Sequence, residues 1–276
     1  MFDIKKVLQC PLCIVRLTKQ LTCPKCGERY AYQNGVYVLI NKKLSNREWT
    51  WDPDLFTENN MRMTRRKYQS YLNEETINAQ KLWWKEMAEY CSGLHGLVCD
   101  LATGLGSLLE GLVKLRRKLT IIAADVDPNV LAWTINKIKR SLTKQTKLHI
   151  FTVASDAKHF AFCNEIFDFF VSCEGLNNIP NLPAVLKELH RTLKPGGRLI
   201  MMHTFVNQNS KSYKLAKGYY LERALLERSL KADLTKVGFR RIKIRKVASA
   251  VWAKNPMDMI PVAGDLQHFV IVSAEK

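Results

Sequence analysis

Apolar and polar positions change rhythm three times along this chain of 276 residues. Between residues 30 and 40, Tyr30, Tyr32, Val36, Val38 and Ile40 fall on either side of Asn34-Gly35. This predicts two short strands joined by a tight hairpin. From 61 to 91, Tyr68, Tyr71, Leu72, Trp83, Met87 and Tyr90 recur at spacings of three and four, as on one or two amphipathic helices. Their aromatic stripe fits core packing, or else a lid over a pocket. From residue 96 onward, short apolar runs alternate with helical segments. G-L-V-C-D (96–100), T-I-I-A-A-D (120–125), H-I-F-T-V-A-S-D-A (149–157), I-F-D-F-F-V-S-C (166–173) and R-L-I-M-M (198–202) read as strands, and P-A-V-L-K-E-L-H-R-T-L (183–193) as a long helix. Strands and helices in turn imply a parallel sheet covered on both faces. Residues 41–60 follow neither pattern. They are polar, with Trp49, Trp51 and Phe56 as anchors, and Pro53 argues against a helix there. Three parts are expected: 1–42, a linker with helices over 43–92, and a main domain over 93–276.

With 47% hydrophobic and 25% charged residues, the chain can bury a full core. No stretch reaches the roughly 18 apolar residues of a membrane-spanning helix. Asp3, Lys5 and Lys6 interrupt the start where a secretory signal needs an apolar run, so a cytoplasmic protein is expected. Charge changes the picture. The formal net charge is +18, and most of it falls in residues 1–48 and 201–276. Such an excess suits polyanionic partners, nucleic acid first, or is simply a solvated basic surface.

Four of the eight cysteines crowd into one short stretch, as Cys10-Pro-Leu-Cys13 and Cys23-Pro-Lys-Cys26-Gly27. Two C-x2-C turns aim four thiolates at the corners of one tetrahedron, which predicts a structural zinc held by Cys10, Cys13, Cys23 and Cys26. Disulfides are the alternative, disfavoured by a cytoplasmic setting. Gly27 fits a position needing positive φ. A segment of about 40 residues has little core, so metal is expected to supply much of its stability, and Cys23→Ser to unfold it while a separately cored main domain stays folded.

In the main domain, Asp100-Leu-Ala-Thr-Gly104-Leu-Gly106 reads as a strand end, a glycine turn and a helix start, where small residues let backbone approach a ligand. It lacks the third glycine of dinucleotide spacing. Asp125 ends the next strand, where an acid accepts hydrogen bonds from both hydroxyls of a ribose. The basic run Lys114, Arg116, Arg117, Lys118 precedes it, and Asp127 with Pro128 is set to start a helix. Asp156 ends the third strand. These acids at successive strand ends predict a nucleoside cofactor.

D-L-A-T-G-L-G (100–106), A-D-V-D-P-N-V-L (124–131), S-D-A (155–157) and L-K-E-L-H-R-T-L-K-P-G-G-R-L (186–199) together resemble the class I S-adenosylmethionine-dependent methyltransferases, especially those related to quinone-biosynthesis enzymes. Residues 8–40 resemble the zinc-ribbon modules found beside some of them. The resemblance implies an α/β fold: a Rossmann-like seven-stranded sheet, preceded by a small zinc ribbon. The sheet would end in an antiparallel pair, F-R-R-I-K-I-R-K-V (239–247) with H-F-V-I-V-S (268–273). It implies S-adenosyl-L-methionine as methyl donor. Asp100 and the turn Ala102, Thr103, Gly104, Gly106 would face the methionine moiety, and Asp125, beside Val126, the ribose. Asp156 and Ala157 would meet the adenine edge, and Ser172 would line the methyl-donor side. Ala102 stands where many relatives have glycine.

Methyl transfer from a sulfonium is an in-line displacement that rests on positioning and exclusion of water, with a base only where the acceptor must lose a proton. Glu174, His203 and His159 lie near strand ends, and no catalytic residue is assigned. After the fourth strand, S-C-E-G-L-N-N lacks the Pro-Pro-aromatic turn of exocyclic-amine methyltransferases. Cys173 lacks the preceding Pro of cytosine-carbon enzymes and reads as a core thiol. A zinc ribbon before such a domain also resembles guanine-ring ribosomal RNA methyltransferases, making an RNA base the first expected acceptor. A small quinone-like molecule comes next, and a non-catalytic cofactor- or RNA-binding scaffold is a third reading. RNA would neutralise Lys5, Lys6, Lys19 and Arg29 at one end and Arg240, Arg241, Lys243, Arg245 and Lys246 at the other. Alternatively, Arg241, Lys243 and Arg245, on one face of a strand, protect an exposed sheet edge.

Overall fold

Among the described residues the chain forms nine strands: β1 (Ala31–Gln33), β2 (Val36–Val38), β3 (Leu97–Leu101), β4 (Thr120–Asp125), β5 (His149–Ala154), β6 (Phe167–Cys173), β7 (Leu193–Val206), β8 (Arg240–Val251) and β9 (Leu266–Glu275). Seven α-helices punctuate them among the described residues: α1 (Glu58–Ser70), α2 (Glu74–Cys91), α3 (Ser107–Lys114), α4 (Pro128–Ser141), α5 (Leu182–Thr192), α6 (Lys211–Ala216) and α7 (Glu227–Val237). The structure, a computed structural model, describes residues 2–44, 52–115, 118–141 and 149–276. Trp49, Trp51, Arg116 and Arg117 lie outside the described residues.

All nine strands form one sheet in the order β1-β2-β5-β4-β3-β6-β7-β9-β8. Strands β3 to β7 run parallel, and β9 inserts antiparallel between β7 and β8. The expected seven strands are therefore corrected to nine. The extra two are the hairpin of the cysteine-bearing module: β2 lies parallel along β5, pairing Val36 with Thr152 and Val38 with Ala154. Thr152 Oγ1 donates to the Gly35 carbonyl at 2.6 Å and the Leu39 amide to the Ala154 carbonyl at 2.8 Å. Without that hairpin, β5 would present a bare edge of unpaired amides and carbonyls.

The module shares its core with the sheet. Leu8, Leu17, Leu21, Tyr30 and Leu39 are buried in the same cluster as Phe160, Phe162, Phe167 and Phe170. Backbone ties Gln9 N to the Ala161 carbonyl at 3.0 Å and Cys163 N to the Val7 carbonyl at 2.9 Å. The expectation of a separate core is thus corrected, for a reason of size: so short a segment buries its few apolar side chains by laying them on a larger neighbour.

The other face of the sheet is covered by α2, α3 and α4. Thr57 and Asn73 cap α1 and α2, their side chains accepting from the amides of Asn60 and Thr76. The stripe on α2 is core: Trp83 and Met87 are buried, and the Trp83 indole donates to the Val270 carbonyl at 2.7 Å. Strand β8 is the free edge at the far side. Arg241, Lys243 and Arg245 are exposed there while Ile242 and Ile244 pack inward. Arg241 pairs with Glu275 and Arg245 with Glu86. Eight strand spacings of about 4.8 Å, roughly 38 Å, separate this edge from the hairpin of the cysteine module. The two basic ends of the chain therefore stand at opposite edges of the sheet.

Candidate active site

The carboxyl ends of β3, β4, β5 and β6 open on one side of the sheet, and each carries a site residue expected from the sequence. At the end of β3 the chain turns through Ala102 at φ 51° and Gly104 at φ 50° to Gly106 at φ 76°, the N-cap of α3. Gly106 is required, because a Cβ there would collide with the Thr134 side chain. The turn is pinned from three directions. The Thr103 amide donates to the Ala124 carbonyl at 3.0 Å, the Thr103 hydroxyl to the Asp100 carbonyl at 2.8 Å, and the Thr134 hydroxyl to the Gly104 carbonyl at 2.8 Å.

Asp125 closes the loop from the next strand. Its Oδ2 accepts from the Gly104 amide at 2.9 Å and its Oδ1 from the Asp127 amide at 3.0 Å. Burial raises its pKa while these amides oppose the rise. A carboxylate has about four lone-pair sites, so two amides leave room for ribose hydroxyls. Val126 follows, half-buried, and Asp127 accepts from the Asn129 amide at 2.8 Å as α4 begins. Asp156 is buried and takes the Lys158 amide at 2.9 Å, with Ala157 buried beside it.

Asp100 is different. It is 1% exposed and its Oδ2 has no hydrogen-bond partner. Burial, with the charge of Asp125 added, pushes its pKa up to about 8. An orphaned carboxylate oxygen beside a glycine turn fits an ammonium-bearing ligand such as the methionine end of S-adenosylmethionine. Ser172 is buried one strand over, donating to the Leu101 carbonyl at 2.8 Å and accepting from the Gly175 amide at 3.2 Å, so it locks β6 to β3.

Beyond β6 comes Glu174, in the left-handed region at φ 55°. Gly175 permits the bend, since a Cβ there would sit 2.8 Å from that of Ala102. Glu174 accepts from the Thr204 hydroxyl at 3.1 Å, and burial together with the Asp258 charge raises its pKa to about 7. Asp258, pushed up to about 6 by burial, accepts from the Tyr68 hydroxyl at 3.3 Å and the Asn255 amide at 2.8 Å. Tyr68, Thr204 and Asp258 escaped sequence reasoning because 190 residues separate Tyr68 from Asp258. His203 is fully buried, its Nε2 2.7 Å from the Ala224 carbonyl, and burial lowers its pKa to about 4, which keeps it neutral. Cys173 is a half-buried thiol packed on the core, and His159 lies on the short turn after Asp156.

The four cysteines of the N-terminal module converge, with their sulfurs all within 4.8 Å of one another and Cys10 and Cys26 at 4.0 Å. Zinc at about 2.3 Å from each thiolate would set sulfur separations near 3.8 Å, so the set fits. Both turns are built alike. The Ile14 amide returns to the Cys10 carbonyl at 2.9 Å and the Gly27 amide to Cys23 at 3.0 Å, with Ile14 at φ 55° and Gly27 at φ 73°. Tyr30 Oη stands 3.2 Å from Cys10 Sγ.

Strand order, glycine turn and strand-end acids together define a Rossmann-like methyltransferase fold. Solved structures share it. Phosphoethanolamine N-methyltransferase 2 of Haemonchus contortus in complex with S-adenosyl-L-methionine superposes with TM-score 0.55 at 14% identity, over 83% of this chain and 61% of that one. A SAM-dependent methyltransferase from Aquifex aeolicus gives 0.51 at 16%, over 82% and 99%. The chain belongs to the ubiE/COQ5 methyltransferase family, which it matches over residues 64–226. Its curated relatives include the ubiquinone/menaquinone biosynthesis C-methyltransferase UbiE of Rickettsia prowazekii, 25% identical over 140 residues, and that of Rickettsia peacockii, 28% identical over 141. Each match covers 49% of this chain and 55% of the relative, so the chain spans about half the length of those proteins.

Proposed function

We propose that this protein transfers a methyl group from S-adenosylmethionine to a small quinol-like acceptor, at carbon. The observation that carries the reading is a pair of carboxylates at the ends of neighbouring strands, both with raised pKa: Asp100, buried beside the glycine turn with its Oδ2 unpartnered, and Glu174, half-buried beyond β6. Family membership and the names of the relatives favour a small acceptor over the RNA base expected from the sequence. When bound, the cofactor supplies an electrophilic methyl on a sulfonium. Asp100 then accepts from its ammonium, Asp125 from the ribose hydroxyls, and Asp156 with the Ala157 amide meets the adenine edge. Gly104, Gly106 and Ala102 keep the turn slim enough for close approach.

Methylation at a ring carbon must end with loss of a proton. Glu174, its pKa raised to about 7 and so near neutral pH, is poised to take it, while Tyr68 and Asp258 hold the acceptor side polar. Cys10, Cys13, Cys23 and Cys26 hold a structural zinc that takes no part in this chemistry, since four thiolates leave no open position. The test is transfer of labelled methyl from S-adenosylmethionine to reduced benzoquinols and naphthoquinols, with cell RNA and protein fractions in parallel. Label in the quinol fraction, lost in Glu174→Gln with cofactor affinity kept, is expected. Label entering RNA or protein alone overturns the acceptor assignment.

A further inference from the structure

A second concave feature lies outside the cofactor site, walled by α1, by α4 and by the tip of the β1–β2 hairpin. It encloses about 1330 Å³, larger than the roughly 300–1,000 Å³ of small-ligand pockets. Its walls are periodic. On α1, Arg62, Arg65, Arg66 and Gln69 recur at three and four, and on α4 so do Asn129, Trp133, Asn136, Lys137 and Arg140, so each helix turns one face inward. Six cations line the groove against one carboxylate, Glu58. Arg140 pairs with Glu58 and Lys137 with Glu110. Arg62, Arg65, Arg66 and Lys139 have no carboxylate partner among the described residues. Arg65 lies 5.8 Å and Lys137 5.1 Å from the centre of the Trp133 ring, and Phe56 meets the same ring at 6.5 Å.

We propose that this groove binds single-stranded RNA. Unpaired cations strung along helices of 13 and 14 residues, about 20 Å long, suit a linear polyanion with several phosphates better than one phosphorylated metabolite. An aromatic patch and side-chain amides from Asn34, Asn129 and Asn136 offer stacking and base-edge contacts that a lipid headgroup does not use. The concavity admits a strand but not the flat face of a bilayer. Tip residues Asn34 and Gly35 make the cysteine module one wall, which gives that module a role beside the sheet edge it covers. The groove stands on its own residues, whatever the methyl acceptor.

The experiment is fluorescence anisotropy of a labelled 20-nucleotide mixed-sequence RNA, titrated with the full protein from 50 to 300 mM KCl. Four phosphate contacts on a single strand predict log affinity falling against log salt with a slope near −3. Replacing Arg62, Arg65 and Arg66 together by alanine should flatten the slope by about two units and weaken binding at least tenfold at 100 mM salt. The corresponding three lysines should keep the slope. Arg66→Glu, a single exposed change, guards against misfolding: circular dichroism and S-adenosylmethionine binding should match wild type while RNA affinity drops. A wild-type slope in the alanine variant overturns the proposal, as does binding to phosphatidylserine vesicles without binding to RNA. Intact cofactor binding in either case leaves the methyltransferase reading standing.

Discussion

Replacing Asp100 by Asn isolates one buried group. Asp100 is enclosed at the end of β3 with its Oδ2 unpartnered, and its pKa stands at about 8 against an ordinary 3.8. Between those values the folded state holds a proton that the unfolded state has released, so stability falls as pH rises, by up to 1.36 kcal/mol per unit. From pH 5 to 8 the loss attributable to this group reaches about 3 to 4 kcal/mol, a large share of the 5–15 kcal/mol of a typical domain. Asparagine has the shape of the protonated carboxyl and donates as it does, without titrating. Asp100→Asn should therefore match wild type at pH 5 and exceed it increasingly toward pH 8, in urea unfolding followed at half-unit intervals. The difference between the two curves removes Glu174 and Asp258, which titrate in both proteins. Cofactor binding should report the same proton: if an ammonium draws Asp100 into its charged form, binding at pH 7 releases about one proton, seen by calorimetry in buffers of different ionisation enthalpy. Parallel stability curves for the two proteins between pH 5 and 8 would refute the account.

Glu174→Gln should lower kcat by about 100- to 10,000-fold with cofactor affinity unchanged. In wild type the rate should rise with pH through about 7 and then level, since the base works only when ionised; a flat profile removes Glu174 from the chemistry. Asp125→Ala should weaken S-adenosylmethionine about ten- to a hundredfold through loss of charged hydrogen bonds of roughly 1.5–3 kcal/mol, and should loosen the turn by freeing the Gly104 amide; unchanged affinity in calorimetry would remove it from the ribose. Cys23→Ser, or chelation of one zinc per chain, should destabilise the N-terminal module together with β5, because Leu8, Leu17 and Leu39 share the main core. A melting temperature left unchanged by metal removal would contradict this.

What the sequence made legible had a local signature. Strands ending at Asp100, Asp125 and the Ser155-Asp156 turn were readable because an apolar run closing on an acid is a contiguous pattern, and the two C-x2-C turns were readable for the same reason. Pairing at a distance has no such signature. The hairpin at Asn34-Gly35 could be placed, but nothing in residues 30–40 names β5 as its partner, so the sheet came out two strands short. Tyr68 meeting Asp258 is the same case. The groove was hidden by a different arithmetic. Summing charge by region pointed to the two ends, whereas Arg62, Arg65, Arg66, Lys137, Lys139 and Arg140 lie in a middle region whose total is diluted by acids. Counting cations by helical face would have found it.

The parallel ladder between β2 and β5 also sets an order of events during synthesis. Gly35 and Thr152, joined across it, are 117 residues apart, so at about 5–20 residues per second the hairpin emerges roughly 6 to 23 s before its neighbour exists. Through that interval Val36 and Leu39 have no sheet to cover them. A metal bound by the four cysteines would close on residues 10 to 26 alone, so it would hold both Cys-x2-Cys turns in place through that interval, before the rest of the module's core exists, and zinc supply during translation, and not only afterward, would then bear on how much of the chain reaches its final form.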